Sequence, residues 1–458
     1  MENMDSTVIA TSLPAIAADI GAEPISLKLA LTAYFVALAI FIPVSGWMAD
    51  RFGARNIFRC AIGVFMVGSI CCAFSFSLET FVGSRFLQGM GSSMMSPIAR
   101  LVLVRATPRN QLVAAMAWLT LPAMVGPLTG PPIGGFLTTY LSWHWIFWIN
   151  IPIGLLGIVL TTIYLPKIES RTPRPIDFPG FVLAGLSFAG IIFGLSVISL
   201  PAIPLVAGYS GVAAGVVAGV LYWFHAKRAK FPLLDPQLFR HRMFRSAIIG
   251  SSLFRIGVGA TPFLLPLMLQ LTFGLSPFES GMITFVGAIG AMFSKFVAER
   301  VFAAMGFPRV LMIASVSACL LLAVNGTFTP DTPRPYLYLV LLATGVLRSV
   351  FFTGANALSY ADIDEHEASQ ATAITAVAQQ LSIALGVALA GGTLEISARL
   401  TGGHGLGLED FHIAWFVVAG VSLLSALPFL RLPPDAGSDV SGHRRWAPQP
   451  IAQDEKLG

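Results

Sequence analysis

A chain of 458 residues that is 55% hydrophobic and only 11% charged, with a mean hydropathy of +0.77, is not a soluble globular protein, since such proteins carry roughly 25% charged residues. The formal charge of +5 is scattered among loops rather than clustered, which argues against a nucleic-acid partner. Cys60, Cys71, Cys72 and Cys319 all lie in apolar stretches without metal spacing and read as core filler.

A membrane-crossing helix needs about 20 apolar residues. Residues 1–20 form a short apolar stretch with Asp5 near its start and Pro14 inside it. Further spans read at about 27–49, 57–78, 80–104, 112–138, 144–165, 178–199, 203–224, 246–271, 279–300, 309–327, 336–358, 369–396 and 411–430, fourteen in all. No cleavable signal peptide precedes them, so the spans insert directly. With the N-terminus on the cytoplasmic side, alternation places 22 of the 28 basic residues in inner loops, against Lys28, Arg334 and Arg399 outside. That bias sets the orientation, with both termini cytoplasmic, and supports the count, because one miscounted span would destroy it.

The expected fold is an all-α integral membrane protein. Residues 1–165 make a six-span half, 166–230 a linker carrying two plain additional spans, 231–430 a second six-span half, and 431–458 a polar, disordered tail. A faint internal repeat is visible: Ala49-Asp50-Arg51 and Ala298-Glu299-Arg300 each close the second span of a half and lead to a glycine and an arginine. Transporters are often built from such repeated halves.

Ionisable residues inside a bilayer are costly and mark functional positions by default. Asp5 is the one acid well inside the first half, and Arg85 is the cation placed to meet it; a fixed structural pair, or an acid at a frayed terminus, is the plainer alternative. Gln88, Gly89, Ser92 and Ser96 follow Arg85 at helical spacing and share its face. That polar stripe reads as a cavity wall, unless Arg85 snorkels to the interface. Arg255 and Arg348 sit near mid-span, with no mid-span acid to pair them. Gln88, Ser92, Arg255 and Arg348 are therefore the expected cavity residues. Asp50, in the tight loop Gly46-Trp-Met-Ala-Asp50-Arg51-Phe-Gly53-Ala-Arg55, closes a span where a carboxylate can sit against a helix N-terminus. Gly46, Asp50, Arg51, Gly53 and Arg55 read as a latch, or as simple topology signals. Glycines 126, 130 and 134 recur every fourth residue in Gly126-Pro127-Leu-Thr-Gly130-Pro131-Pro-Ile-Gly134-Gly135. Such a stripe lets helices approach backbone to backbone, and its prolines loosen the turns before them, so the stretch reads as a hinge or a plain packing face. No Walker A sequence, Ser/His/Asp set or metal-spaced cluster occurs, so neither enzymatic activity nor a cofactor is expected.

With these residues in place, the chain resembles the major facilitator superfamily, and more narrowly its fourteen-span drug:proton antiporters of the EmrB/QacA type. Met4 to Pro14, Gly46 to Arg55, Arg85 to Gly91, and the Gly126–Gly135 stretch with Ser142 to Gly154 match the family's motifs, although Ala54 and Asn56 replace basic residues. The resemblance implies two six-helix bundles plus two central helices. It also implies proton coupling through Asp5 and Arg85, a conformational latch at the Asp50 loop, and antiporter-type export of small amphipathic compounds across the bacterial inner membrane, driven by the proton gradient. Only four residues precede Asp5, too few to reach the membrane surface from mid-span, so the first span reads as truncated and Met1 as an internal methionine. Export of one metabolite, such as a siderophore or acidic compound, and a transport-inactive scaffold or sensor are the alternatives. A periplasmic adaptor and outer-membrane channel stand open as partners.

Overall fold

The computed structural model describes residues 2–106, 126, 129–165, 175–198, 205–363, 367–400 and 406–437. Among these, every regular element is a helix. Residues 112–125, Pro127, the 166–174 loop and the tail from 438 lie outside the described residues, and with them Arg109, Lys167, Arg171, Arg174, Arg444, Arg445 and Lys456.

The first stretch is α1 (Glu2–Val8), a 3-10 turn (Ile9–Ser12) and α2 (Leu13–Asp19). Pro14 explains the tightened turn, because its ring lacks the amide donor for Ala10 and would clash with that carbonyl. The rest of the first half is α3 (Lys28–Phe52), α4 (Ala54–Ala73), α5 (Leu78–Ala106), α6 (129–140), α7 (Trp145–Trp148) and α8 (Asn150–Tyr164). The connecting pair is α9 (Phe178–Ile198) and α10 (Leu205–Arg228). The second half comprises α11 (Arg242–Leu271), α12 (Pro277–Phe293), α13 (Lys295–Met305), α14 (Phe307–Asn325), α15 (Arg334–Leu358), α16 (Ala368–Leu400), α17 (Leu408–Leu423) and α18 (Leu427–Leu430).

Each of the fourteen expected stretches contains helix among its described residues. Ten are long and apolar enough to cross a bilayer, and Ile9–Asp19 and Pro277–Phe293 are shorter apolar helices, which is compatible with fourteen crossings. Within the expected span at 279–300, α12 and α13 meet at Ser294, whose backbone stays helical (φ -58°, ψ -25°) with i→i−4 bonds on either side; its hydroxyl donates back to the Ala291 carbonyl at 2.8 Å, a bond that bends helices. The faint repeat becomes a structural one. Gly53 (φ 86°) ends α3 and Gly306 (φ 75°) ends α13, each in the left-handed region that L side chains avoid.

Helix pairs close on glycine. A Cβ at Gly190 of α9 would lie 2.8 Å from the Gly211 carbonyl of α10, so that pair packs backbone to backbone. Gly386 brings α16 against the Ile256 carbonyl of α11, and Gly345 brings α15 against α12. The α9–α10 pair also touches α3 and α16, one helix from each half.

One face of the bundle carries the turns after α2, α4, α6 and α11. There the halves interlock: Gln270 Nε2 donates to the Thr11 carbonyl at 2.9 Å, and the Phe278 amide donates to Thr139 Oγ1 at 3.1 Å. Lys28, assigned to an outer loop by sequence, instead opens α3 and is fully buried, its methylenes lying against Gly391 of α16. The opposite face carries the turns after α3, α10, α13 and α15, where Asp362 accepts from the Met243 and Phe244 amides at the head of α11. Cys60, expected in the core, is exposed on α4, while Cys72 and Cys319 are buried. Asn325, at the end of α14, is fully buried.

Candidate functional site

Asp5 reaches in from α1 with only 4% of its surface exposed, and Arg85 of α5 is fully buried. Arg85 Nη1 donates to Asp5 Oδ2 at 2.6 Å. Gln88 lies one turn along α5, so it shares Arg85's face; its Nε2 donates to Asp5 Oδ1 at 2.8 Å and to Ser69 Oγ of α4 at 2.8 Å. Asn150, the first residue of α8, donates through Nδ2 to the same Asp5 Oδ1 at 3.0 Å and to Ser69 Oγ at 3.3 Å. Arg85 also donates to Gln88 Oε1. Below the guanidinium lies the Tyr34 ring of α3, 4.4 Å from its centroid, and Tyr34 shares a 2.7 Å hydrogen bond with Ser92.

Glycines permit this assembly. A Cβ at Gly68 would fall 2.6 Å from the Gln88 backbone, and one at Gly89 would strike Tyr34. The Asp5 carboxylate of α1 thus accepts from an arginine and an amide of α5 and an amide of α8, with Ser69 of α4 and Tyr34 of α3 packed around them. Burying an ion pair costs several kcal/mol per ion and is offset only when the remaining lone pairs and protons are satisfied; both Asp5 oxygens are, while Arg85 Nε is buried without a partner. Arg85 does not snorkel, so that alternative falls.

Gln88 and Ser92 were expected as cavity residues. Both are fully buried, and their polar atoms are taken up by Asp5, Ser69 and Tyr34. Asn150, Ser69 and Tyr34 went unassigned in the sequence reading. Asn150 had a signal, as the single amide in the apolar run 145–165.

Arg255 and Arg348 stand apart, on α11 and α15. Arg255 packs its guanidinium over the Phe352 ring, 4.1 Å from the centroid. Its Nε is buried without a hydrogen-bond partner, and among the described residues no charged group acts on either arginine.

At the α3–α4 turn Arg55 donates to the Thr162 carbonyl of α8, tying the loop to its own half. Asp50 is partly buried and Arg51 exposed. Gly46 makes no close approach, since a Cβ there would meet open space. In the glycine stretch, Gly130 and Gly134 receive α1: a Cβ on Gly130 would lie 2.9 Å from Thr7 Cβ, and one on Gly134 2.8 Å from Thr11 Oγ1. Gly135 faces the other way, against Pro277 and Phe278 of α12, and Gly281 packs on the Pro131 carbonyl. Gly126 accepts from Thr7 Oγ1 at 3.4 Å.

The profile of the Major Facilitator Superfamily matches residues 1–234 and 237–454. The chain belongs to this superfamily. Among its relatives are proteins named "Putative multidrug resistance protein MdtD" from Escherichia coli O6:H1 and Shigella flexneri, each 36% identical over 447 residues, covering 97% of this chain and 95% of the relative. Among solved structures, a D-xylose–proton symporter superposes with a TM-score of 0.68 at 15% identity, covering 95% of this chain and 96% of that one. The POT family transporter PepTSo gives 0.67 at 15% identity, covering 94% and 95%. These structures share the major facilitator fold. This superfamily member is therefore a multi-pass membrane transporter of small molecules, and the Asp5–Arg85 network lies within its first half.

Proposed function

We propose that this transporter exports small amphipathic compounds in exchange for protons across the bacterial inner membrane, by alternating access, with both termini cytoplasmic. The observation that carries the reading is the Asp5 network. Its carboxylate is the acceptor for Arg85, Gln88 and Asn150 together. A proton arriving on an Asp5 oxygen neutralises the carboxylate and displaces one donor. Arg85 keeps its charge and retains Gln88 Oε1 as an acceptor. Asp5 sits on α1 and Asn150 on α8, so protonation loosens the tie between them. Losing one partner of a buried ion pair costs about 3–5 kcal/mol, enough to shift the balance between two conformations.

The inner-loop excess of basic residues supports a cytoplasmic reading of the face that carries the α3–α4 turn. The halves interlock at the opposite, outer face through Gln270 and Phe278, which fits an inward-facing state. α6 is the outer wedge between α1 and α12, consistent with a hinge role for Gly130, Pro131, Gly134 and Gly135. The Asp50 loop, tied down by Arg55, is assigned the inner latch. The names of the MdtD relatives agree with export of drug-like compounds. Energised everted vesicles test the reading: adding exported amphiphiles should release protons from the lumen, seen as recovery of a pH-sensitive dye, and an ionophore should abolish it. No recovery across a broad panel would refute the exchange.

A further inference from the structure

The segments 242–278 and 333–361, which include all of α11 and α15, contain no aspartate or glutamate, yet each carries a central arginine. Arg255 is 13 residues from the start of α11, about 20 Å at 1.5 Å per residue. Arg348 is 10 residues from the end of α15, about 15 Å. The two turns meet. Phe254 stacks on Phe351 at 4.2 Å and Arg255 covers Phe352 at 4.1 Å, while Arg348 lies one turn before Phe352 and shares its face.

The direction follows from the glycines of α11. Gly250 packs on Phe429, and Gly257 packs on Ser422 and Leu322, so that side of α11 faces α17, α18 and α14. At 100° per residue Arg255 projects roughly opposite. α16 flanks α11 at Ile256 and Gly259, and α15 flanks it at Phe254. Arg255 therefore lies on the side of α11 bounded by α15 and α16, away from α14, α17 and α18. A further polar atom without a partner, Gln380 Oε1, is buried on α16, one turn before the Ile383 that abuts Gly259.

Two permanent cations thus stand at the centre of the second half, with aromatic rings beside them and no carboxylate to neutralise them among the described residues. In the first half the one central cation is already matched by Asp5. We propose that Arg255 and Arg348 bind the anionic group of the transported compound, a carboxylate, sulfonate or phosphate, and that the cargo is therefore an amphipathic anion; this rests on the transporter reading above. Guanidinium forks suit such oxyanions bidentately, and Phe351 and Phe352 offer an apolar wall to the rest of the molecule.

Fluorescein and rhodamine 6G, two xanthenes of opposite charge, probe the site by equilibrium anisotropy on the full-length protein in phosphatidylcholine nanodiscs. Fluorescein should bind saturably, and Arg255→Gln and Arg348→Gln should each raise its Kd by about tenfold, the loss of one charge-assisted contact. Arg348→Lys should fall between, because the charge survives without the fork. Rhodamine 6G binding, which also reports that each variant is folded, should not weaken. Fluorescein binding that is absent from the wild type, or unchanged in both glutamine variants, overturns the proposal. Competition by added phosphatidylglycerol would assign the arginines to a lipid phosphate and overturn the cargo assignment. If fluorescein fails to bind while energised vesicles still exchange amphiphiles for protons, only the anion assignment falls. If it binds while no exchange occurs, the transport reading falls instead.

Discussion

Asp5 Oδ1 accepts from Gln88 and Asn150 while Oδ2 takes Arg85, so each helix that delivers a donor is tied to the ionised state of one side chain. Asn150 is the informative member, because it links α8 to α1 without carrying charge. Asn150→Ala removes a hydrogen bond to a charged acceptor, a loss of about 1.5–3 kcal/mol. Lower thermal stability and slower proton-driven transport are expected in the reconstituted variant, with fluorescein binding at Arg255 and Arg348 unaffected. A variant matching the wild type in both would remove Asn150 from the network. The pairing of Asp5 with Arg85 was legible in the sequence, because two lone ionisable residues in apolar spans have few ways to be satisfied. Asn150, Ser69 and Tyr34 were not: uncharged polar groups recur throughout membrane helices, and only the fold brings these three to one point.

At the scale of elements, α6 shows what periodicity can and cannot supply. The four-residue glycine spacing predicted a bare groove, and a groove is present. Its occupants were invisible in the sequence, because they are set by tertiary packing: α1 lies along Gly130 and Gly134, and α12 of the other half lies against Gly135. A side chain at Gly130 would meet the Thr7 side chain and the Val8 amide, so Gly130→Leu should push α1 off α6 and misplace Asp5. Membrane insertion should persist while transport falls by at least about tenfold, the effect of a shift near 1.4 kcal/mol in the conformational balance. Efflux at the wild-type rate would return the stretch to plain packing.

The whole molecule separates its two kinds of charge. The inner-loop reading puts most basic residues on one face, while the centre of the described residues holds a matched pair in the first half and two arginines without a carboxylate in the second. The helical, multi-pass character was legible because the bilayer imposes it on composition. Lys28 was misread for the same reason: a cation near a span end looks like a loop residue until the close approach of α16 at Gly391 encloses it. The central claim is that proton binding at Asp5 drives the cycle. The direct measurement is substrate transport by Asp5→Asn in proteoliposomes, with and without an imposed pH gradient. Exchange of labelled for unlabelled substrate should continue without the gradient, while gradient-driven accumulation should be lost. Accumulation by Asp5→Asn at the wild-type level would contradict that claim.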